Sequence, residues 1–264
     1  MVMKLGLIDA PVEESFKTAK EKGLSFLEFC INIGEDVNQF LEHIPQISDW
    51  SKAYNIGIQS IGRWGTDKID KDGKIIKEEL QRSFQLIDAA STLGCENFVC
   101  GCNYVKELSY YENCQAAIEY LSKLIQYGEE KGVTISTYNC RWNNFIKDEM
   151  AWTVIHGYLT NLGIKYDPSH SRYAGCDYLK EMRDWGDRFT HVHIKGSVII
   201  DGKRYDDPPA GLDQTDWKTF IAILYAKKYN AGLSIEPHSE NWVGELGEKG
   251  LDYTIDYMKE LLIY

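Results

Sequence analysis

The chain has 264 residues, 44% of them hydrophobic, with a formal net charge of −11 and an isoelectric point near 5.1. Such an acidic chain lacks the basic face that duplex DNA or RNA requires, so no nucleic-acid partner is expected. The opening Met1-Val2-Met3-Lys4-Leu5-Gly6-Leu7-Ile8-Asp9 is too short for a signal peptide and meets an acid at once, and no apolar run approaches the length of a membrane span. Seven cysteines without framework spacing or a CxxC pair predict reduced thiols and a cytoplasmic protein.

Met3–Ile8 reads as a first strand, followed by a helix that opens at Pro11, runs through Lys22 and stops at Gly23. Leu24–Phe29 is a second strand, a helix is expected from Val37 to Tyr54, and Ile56–Ile61 is a third strand with the loop Gly62-Arg63-Trp64-Gly65 after it. After a polar turn over Lys68–Gly73, Ile75–Leu93 has helical periodicity and stops at Gly94. Cys95–Cys100 is strand four, Ser109–Lys131 a long helix ending at Gly132, and Val133–Tyr138 strand five. Asp148–Asn161 is helical, Gly163–Tyr166 is strand six, Cys176–Trp185 a short helix, and Phe189–Ile194 strand seven. Trp217–Tyr229 is a helix, Leu233–Glu236 strand eight, and Lys249–Ile263 the last helix.

Strands alternating with helices at this spacing make parallel strands with helical crossovers. Eight units close into a single (β/α)8 TIM barrel of the α/β class spanning residues 1–264, with its site at the C-terminal mouth. An open doubly wound sheet would show a Gly-rich phosphate loop after strand one, and Asp9-Ala10-Pro11 is nothing of that kind.

Three strand ends carry metal-ligand chemistry. Asp167, in Asp167-Pro168-Ser169-His170, ends strand six; His193 ends strand seven; Glu236 ends strand eight. Two carboxylates and an imidazole from neighbouring strands suit a divalent ion of Mn, Mg, Co or Zn with positions left for substrate oxygens. His191 shares the face of His193, which lies nearer the mouth and is the preferred ligand. His170 lies within reach of whatever Asp167 holds. Glu28, Arg63 and Lys195 are each as readily structural ion pairs as substrate contacts, and Trp64, Trp142 and Trp242 are either sugar-stacking or packing residues. Cys100, Cys102 and Cys140 are a weaker, soft-ligand alternative, and Asp206-Asp207-Pro208-Pro209 reads as a rigid loop.

On the segments Lys165–His170, Thr190–Lys195, Leu233–Glu236 and Pro209–Trp217, the chain resembles the xylose isomerase-like sugar (phosphate) isomerase/epimerase family. The resemblance implies a divalent ion held by Glu, Asp, His and Glu from strands five to eight, and proton transfer on a sugar through an enediolate. Asp167, His193 and Glu236 match the last three of those ligands and His170 a residue that contacts metal or substrate; Glu236 and His170 are the expected catalytic residues. The strand-five Glu should fall near Tyr138, where no carboxylate stands; Tyr138 or Asn139 could supply an oxygen instead. The Asp expected after Lys195 is Gly196, and the second Gly of the loop before the seventh helix is Asp213.

The expectation is therefore a metal-dependent isomerase or epimerase acting on a small sugar, with Lys195, Arg63, Trp64, Tyr138 and Asn139 as substrate contacts and homo-oligomerisation left open. A lyase or hydrolase acting on oxidised sugars, which needs only one base, is the first alternative, and a non-catalytic sugar-binding barrel the second. An apurinic-site endonuclease shares the barrel, but the charge ranks it last.

Overall fold

The structure is a computed structural model and describes residues 3–263. Its elements are β1 (Lys4–Ile8), α1 (Glu13–Glu21), β2 (Phe26–Cys30), α2 (Val37–Glu42), α3 (Ile44–Tyr54), β3 (Gly57–Arg63), α4 (Lys77–Thr92), β4 (Asn97–Cys100), α5 (Tyr110–Lys131) and β5 (Thr134–Tyr138). There follow α6 (Glu149–Tyr158), β6 (Gly163–Tyr166), α7 (Pro168–Tyr173), α8 (Tyr178–Trp185), β7 (Phe189–Ile194), β8 (Val198–Ile200), β9 (Lys203–Asp206), α9 (Trp217–Ala226), β10 (Gly232–Ile235) and α10 (Gly244–Leu261). Eight strands close in the order β1-β10-β7-β6-β5-β4-β3-β2, every pair parallel, so the expected (β/α)8 TIM barrel is what forms.

Local chemistry fixes the element ends. Ser109 and Glu112 form a capping box at the start of α5, and Gly132 takes φ 70° at its end, a left-handed residue that a side chain would strain. Asp148 and Asp216 cap α6 and α9. The helix expected from Val37 to Tyr54 is two helices, because Pro45 has no N–H to donate and sits instead in the first turn of α3. The last helix begins earlier than expected, at Gly244, where Gly244, Gly247 and Gly250 blur the apolar period. The short α7 and the antiparallel β8–β9 hairpin add to the expected elements; the hairpin turns on Asp201 and Gly202, both at positive φ (51° and 72°).

Two strands carry an extra residue. The β2–β3 register jumps between Leu27 and Glu28, leaving Gln59 unpaired, and the β6–β7 register jumps between Ile164 and Lys165, leaving Thr190 unpaired. Past each jump the side-chain parity reverses. Glu28 and Ser60 then face the barrel interior together, as do Lys165 and His191.

That interior is more polar than the branched apolar filling usual for this fold. Ser136 Oγ hydrogen-bonds Asn97 Oδ1 and Thr190 Oγ1 at 2.7 Å each, and Ser60, Ser234, Glu28 and His191 are also fully buried. The apolar core lies outside this lumen, where Leu86, Ile87, Leu121, Leu124, Trp152 and Phe220 of the helices pack on outward strand residues such as Leu27, Ile61 and Phe98.

Candidate active site at the barrel mouth

Asp167 is the N-cap of α7. Its Oδ1 accepts the Ser169 N–H at 2.8 Å, and Pro168 in the first turn gives up no needed donor. Its Oδ2 is buried and has no hydrogen-bond partner. That free oxygen lies 3.4 Å from His170 Nε2 and 4.0 Å from His193 Nδ1. Glu236, just past β10, places Oε2 2.8 Å from the same Nδ1. One donor atom from each of Asp167, His193 and Glu236 falls within 4.8 Å of the others, so the three residues read from the strand ends do converge.

Beneath them His193 is locked in place. Its Nε2 lies 2.7 Å from Glu28 Oε2, and the same oxygen sits 2.7 Å from His191 Nε2. A carboxylate on the far nitrogen of an imidazole fixes the ring and aims the near nitrogen at a ligand. Glu28 is thus a positioning residue for His193, and His191 its second contact. Glu28, His191 and His193 also satisfy a ligand-like geometry, but both contacts to Glu28 are already hydrogen bonds.

Electrostatics follow the packing. Burial opposes ionisation of Glu236, yet Lys195 and the His193 contact hold its carboxyl well below the usual carboxylate range. Asp167 is lowered too, burial being outweighed by His170, Lys195 and Lys165. Burial also disfavours charge on His193, but the Glu28 carboxylate keeps its pKa above the ordinary imidazole value. His170 moves the other way: burial pushes it down to about 4. Near neutral pH the mouth therefore presents ionised Asp167 and Glu236 beside a neutral His170.

Lys195 faces the mouth, its Nζ 3.6 Å from Glu236 Oε1 and 3.8 Å from Asp207 Oδ2. Asp207 is not merely part of a rigid loop. It is buried and accepts from Arg204 at 2.6 Å and from the Tyr173 hydroxyl, with His238 Nδ1 at 3.2 Å. The loop after β9 thereby braces Lys195 from above. Gly196, where the family resemblance implies an acid, has no room for a side chain, since a Cβ would come within 1.9 Å of the Pro208 carbonyl oxygen. Asp213 ties the following loop, accepting from Ser197 N–H at 2.9 Å and from Trp217 Nε1 at 2.8 Å.

Arg63 does not reach the mouth. The residue gained at Gln59 turns it outward, where Nε donates to Glu79 Oε1 at 2.9 Å and Nη1 to the Ile31 and Asn32 carbonyls at 3.1 and 2.9 Å. Of the two roles open to Arg63, the buried ion pair is the one that forms. Asn139 is likewise committed: Nδ2 donates to the Asp167 carbonyl at 2.8 Å and Oδ1 accepts the Asp167 N–H at 2.9 Å. Tyr138 points into the mouth, but its hydroxyl donates to the Trp142 carbonyl at 3.3 Å and its ring stacks on Trp64, centroids 5.0 Å apart. Neither residue supplies the oxygen considered for strand five.

Trp64 is buried and walls the mouth beside Val99, Cys30 and Cys140. It folds back over its own strand, where a Cβ at Gly62 would meet its ring at 1.6 Å. Trp142 is exposed and Trp242 half-buried against Gly250. Cys30 also borders a cavity of about 920 Å³ between the loops after β1 and β2, lined by Asp9, Asn32, Glu35, Gln39 and Trp50. No cysteine joins a ligand group among the described residues, and burial pushes the Cys100 thiol up to about 12.

Lys165 is a site residue that the strand-end pattern does not single out. It lies two positions before Asp167 on a strand, so both face inward; that spacing is the available signal. Its Nζ sits 2.8 Å from His193 Nδ1 and 5.8 Å from the Trp64 ring centroid.

Comparison with known proteins agrees with this architecture. The profile described as xylose isomerase-like TIM barrel matches residues 16–261, and the chain belongs to that family. It is 24% identical over 153 residues to the uncharacterized protein YfiH of Bacillus subtilis (strain 168), a match spanning 50% of this chain and 49% of that protein. Among solved structures it resembles a D-allulose 3-epimerase from Methylomonas sp., with TM-score 0.78 and 17% identity over 99% of this chain and 98% of that one. A D-psicose 3-epimerase from Clostridium cellulolyticum H10, solved with D-tagatose, gives TM-score 0.78 at 13% identity over 98% and 99%. The 3-keto-D-glucoside 4-epimerase YcjR of E. coli gives TM-score 0.71 at 17% identity over 98% of each chain. At these identities the likeness is one of fold. No helix of the described residues is long and apolar enough to cross a membrane.

Proposed function

We propose that this chain is a sugar isomerase or epimerase that moves a proton at a carbon beside a carbonyl. The observation that carries the reading is the convergence of Asp167, His193 and Glu236 at the mouth of a barrel whose structural relatives are sugar epimerases. The substrate is a small sugar, with or without phosphate.

The donor set suits a divalent ion of Mn, Mg, Co or Zn. Asp167 Oδ2 is buried and lacks a partner, and it faces His193 Nδ1 and Glu236 Oε2. These three atoms would hold the ion, and the ion would polarise a carbonyl and acidify the neighbouring C–H. The chain's own residues do the rest. Glu236, kept ionised beside Lys195, accepts the proton. His170, neutral and next to Asp167, hydrogen-bonds a substrate hydroxyl or returns the proton. Lys195 steadies negative charge as it develops on oxygen. Trp64 and Tyr138 offer an aromatic wall to the sugar.

One observation favours a second reading. With Tyr138 in the strand-five position, only one carboxylate base stands ready, which suits a single-base reaction such as an elimination or hydrolysis on an oxidised sugar better than two-base inversion. Purified protein assayed with Mn²⁺ against free ketoses and 3-keto sugars, in deuterated water, separates the two. Deuterium wash-in with a new ketose or epimer supports the first reading, loss of a leaving group from 3-keto substrates the second. No turnover of either class would remove the catalytic reading, and full activity in Glu236→Gln would remove Glu236 as the base.

A further inference from the structure

If the mouth holds a divalent ion, as proposed, His193 has one nitrogen to offer it. Its Nε2 is held by Glu28 Oε2 at 2.7 Å in a fully buried contact, so only Nδ1 faces Asp167 and Glu236. Nδ1 also lies 2.8 Å from Glu236 Oε2, and the proton between them must leave before an ion binds; Nε2–H then stays on Glu28 and Nδ1 carries a single lone pair. Lys165 Nζ lies 2.8 Å from that nitrogen. A lysine ammonium has three donors and no acceptor, so it takes the same lone pair that an ion would take.

The backbone holds Lys165 there. It pairs with Tyr138 on one side and His191 on the other, its side chain is about 2% exposed, and it faces inward two positions before Asp167, while the register jump at Thr190 turns His191 inward beside it. Charge points the same way. Asp167 and Glu236 carry two negative charges, and Lys165 and Lys195 bring two positive ones to the same mouth. A divalent ion entering that set would add two uncompensated charges in a buried place, where unpaired charge is costly. Withdrawal of Lys165 would remove one of those two charges, and the Trp64 ring of the stacked Trp64–Tyr138 wall already lies 5.8 Å from its Nζ.

We propose, on the divalent-ion reading of the mouth, that Lys165 is a built-in competitor for the metal: its Nζ and a divalent ion exclude each other at His193 Nδ1, so each binding event displaces the lysine and the site holds its ion weakly and exchangeably. Lys165 is thus an affinity-setting residue.

The test is calorimetric titration of Mn²⁺ into wild type, Lys165→Met and Asp167→Ala, with no substrate present. Lys165→Met should bind Mn²⁺ at least about tenfold more tightly than wild type, and Asp167→Ala should not bind it. Equal affinity in wild type and Lys165→Met overturns the competition while leaving the metal reading intact. Absence of binding in both overturns the competition and the metal reading together. If Lys165→Met fails to fold, wild type labelled with ¹⁵N-lysine answers the same question. Mg²⁺ should shift the Lys165 Nζ resonance in step with its binding, and an unmoved resonance at saturating Mg²⁺ overturns the proposal.

Discussion

Asn139 and Asp167 are joined by a reciprocal pair of hydrogen bonds, each side-chain amide atom of Asn139 meeting one backbone polar group of Asp167 at 2.8 and 2.9 Å. The C-terminal ends of β5 and β6 are stapled at the residue that carries the free carboxylate oxygen. Asn139→Ala leaves a buried N–H and carbonyl without partners, at a cost of about 1–3 kcal/mol each for such groups. Loss of such outer support commonly weakens a metal site by about 10–100-fold. The expected result is a lower urea midpoint together with Mn²⁺ affinity reduced by about tenfold or more; an unchanged affinity would make the staple purely structural.

Tyr138 pairs with Lys165 across β5 and β6. Tyr138→Glu therefore puts a carboxylate next to the lysine and within the mouth, in place of a stacked ring. Mn²⁺ affinity should rise about tenfold, because the new acid draws Lys165 off His193 and adds a fourth donor, the third oxygen of the set. Epimerisation of free ketoses should rise with it. Mn²⁺ binding no tighter than wild type would show that Tyr138 does not stand in the family's strand-five ligand position.

Glu79 is the anchor of a buried cluster outside the mouth: Arg63 at 2.9 Å, Lys68 at 2.6 Å and the Thr66 hydroxyl at 2.7 Å all converge on its Oε1. Glu79→Gln leaves two buried cations short of an anion and should destabilise the fold by about 3–5 kcal/mol, read from urea unfolding, with Mn²⁺ stoichiometry unchanged in the folded protein.

Acid should weaken the fold in two windows. His156 is buried, with Nδ1 donating to the Leu162 carbonyl at 3.3 Å and Nε2 2.9 Å from the Thr137 hydroxyl. Burial lowers its pKa from 6.5 to about 4, so between those values the unfolded chain takes up a proton that the folded one refuses, and stability falls as pH drops. Although burial opposes its ionisation, Glu79 is held at about 2 against an ordinary 4.5 by Arg63 and Lys68, so its contribution is complete above 4.5 and is lost as pH falls towards 2. Chemical denaturation at stepped pH checks both: His156→Gln should flatten the upper window, and Glu79→Gln the lower one.

Asp167, His193 and Glu236 were legible because each ends a strand, and successive strands of this barrel are neighbours in space. Arg63 was left open between an ion pair and a substrate contact for a definite reason. Read as a loop residue after a strand ending at Ile61, it has no assigned face; β3 in fact runs through Arg63, and the extra residue at Gln59 sets the parity that sends it outward to Glu79. Lys165 had its inward face signalled by its spacing from Asp167, but its contact with His193 was not, because that depends on the jump at Thr190 in a different strand. Asp207 was hidden in a loop whose partners, Arg204, Tyr173 and His238, come from separate segments. Element ends were readable where caps are strong, as at Ser109, and less so where glycines dilute the period, as in α10.

The two unpaired residues, Gln59 and Thr190, sit on β3 and β7, which lie four strands apart in a ring of eight and so face each other across the barrel. A closed hoop of strands tolerates only certain total staggers, because the last strand must meet the first in register. Each inserted residue is part of that sum. Deleting Thr190 would not merely straighten β7; it would ask the whole hoop to close at a different pitch. The position of a single lysine beside a single imidazole is in this sense a property of the barrel's girth, shared by all eight staves.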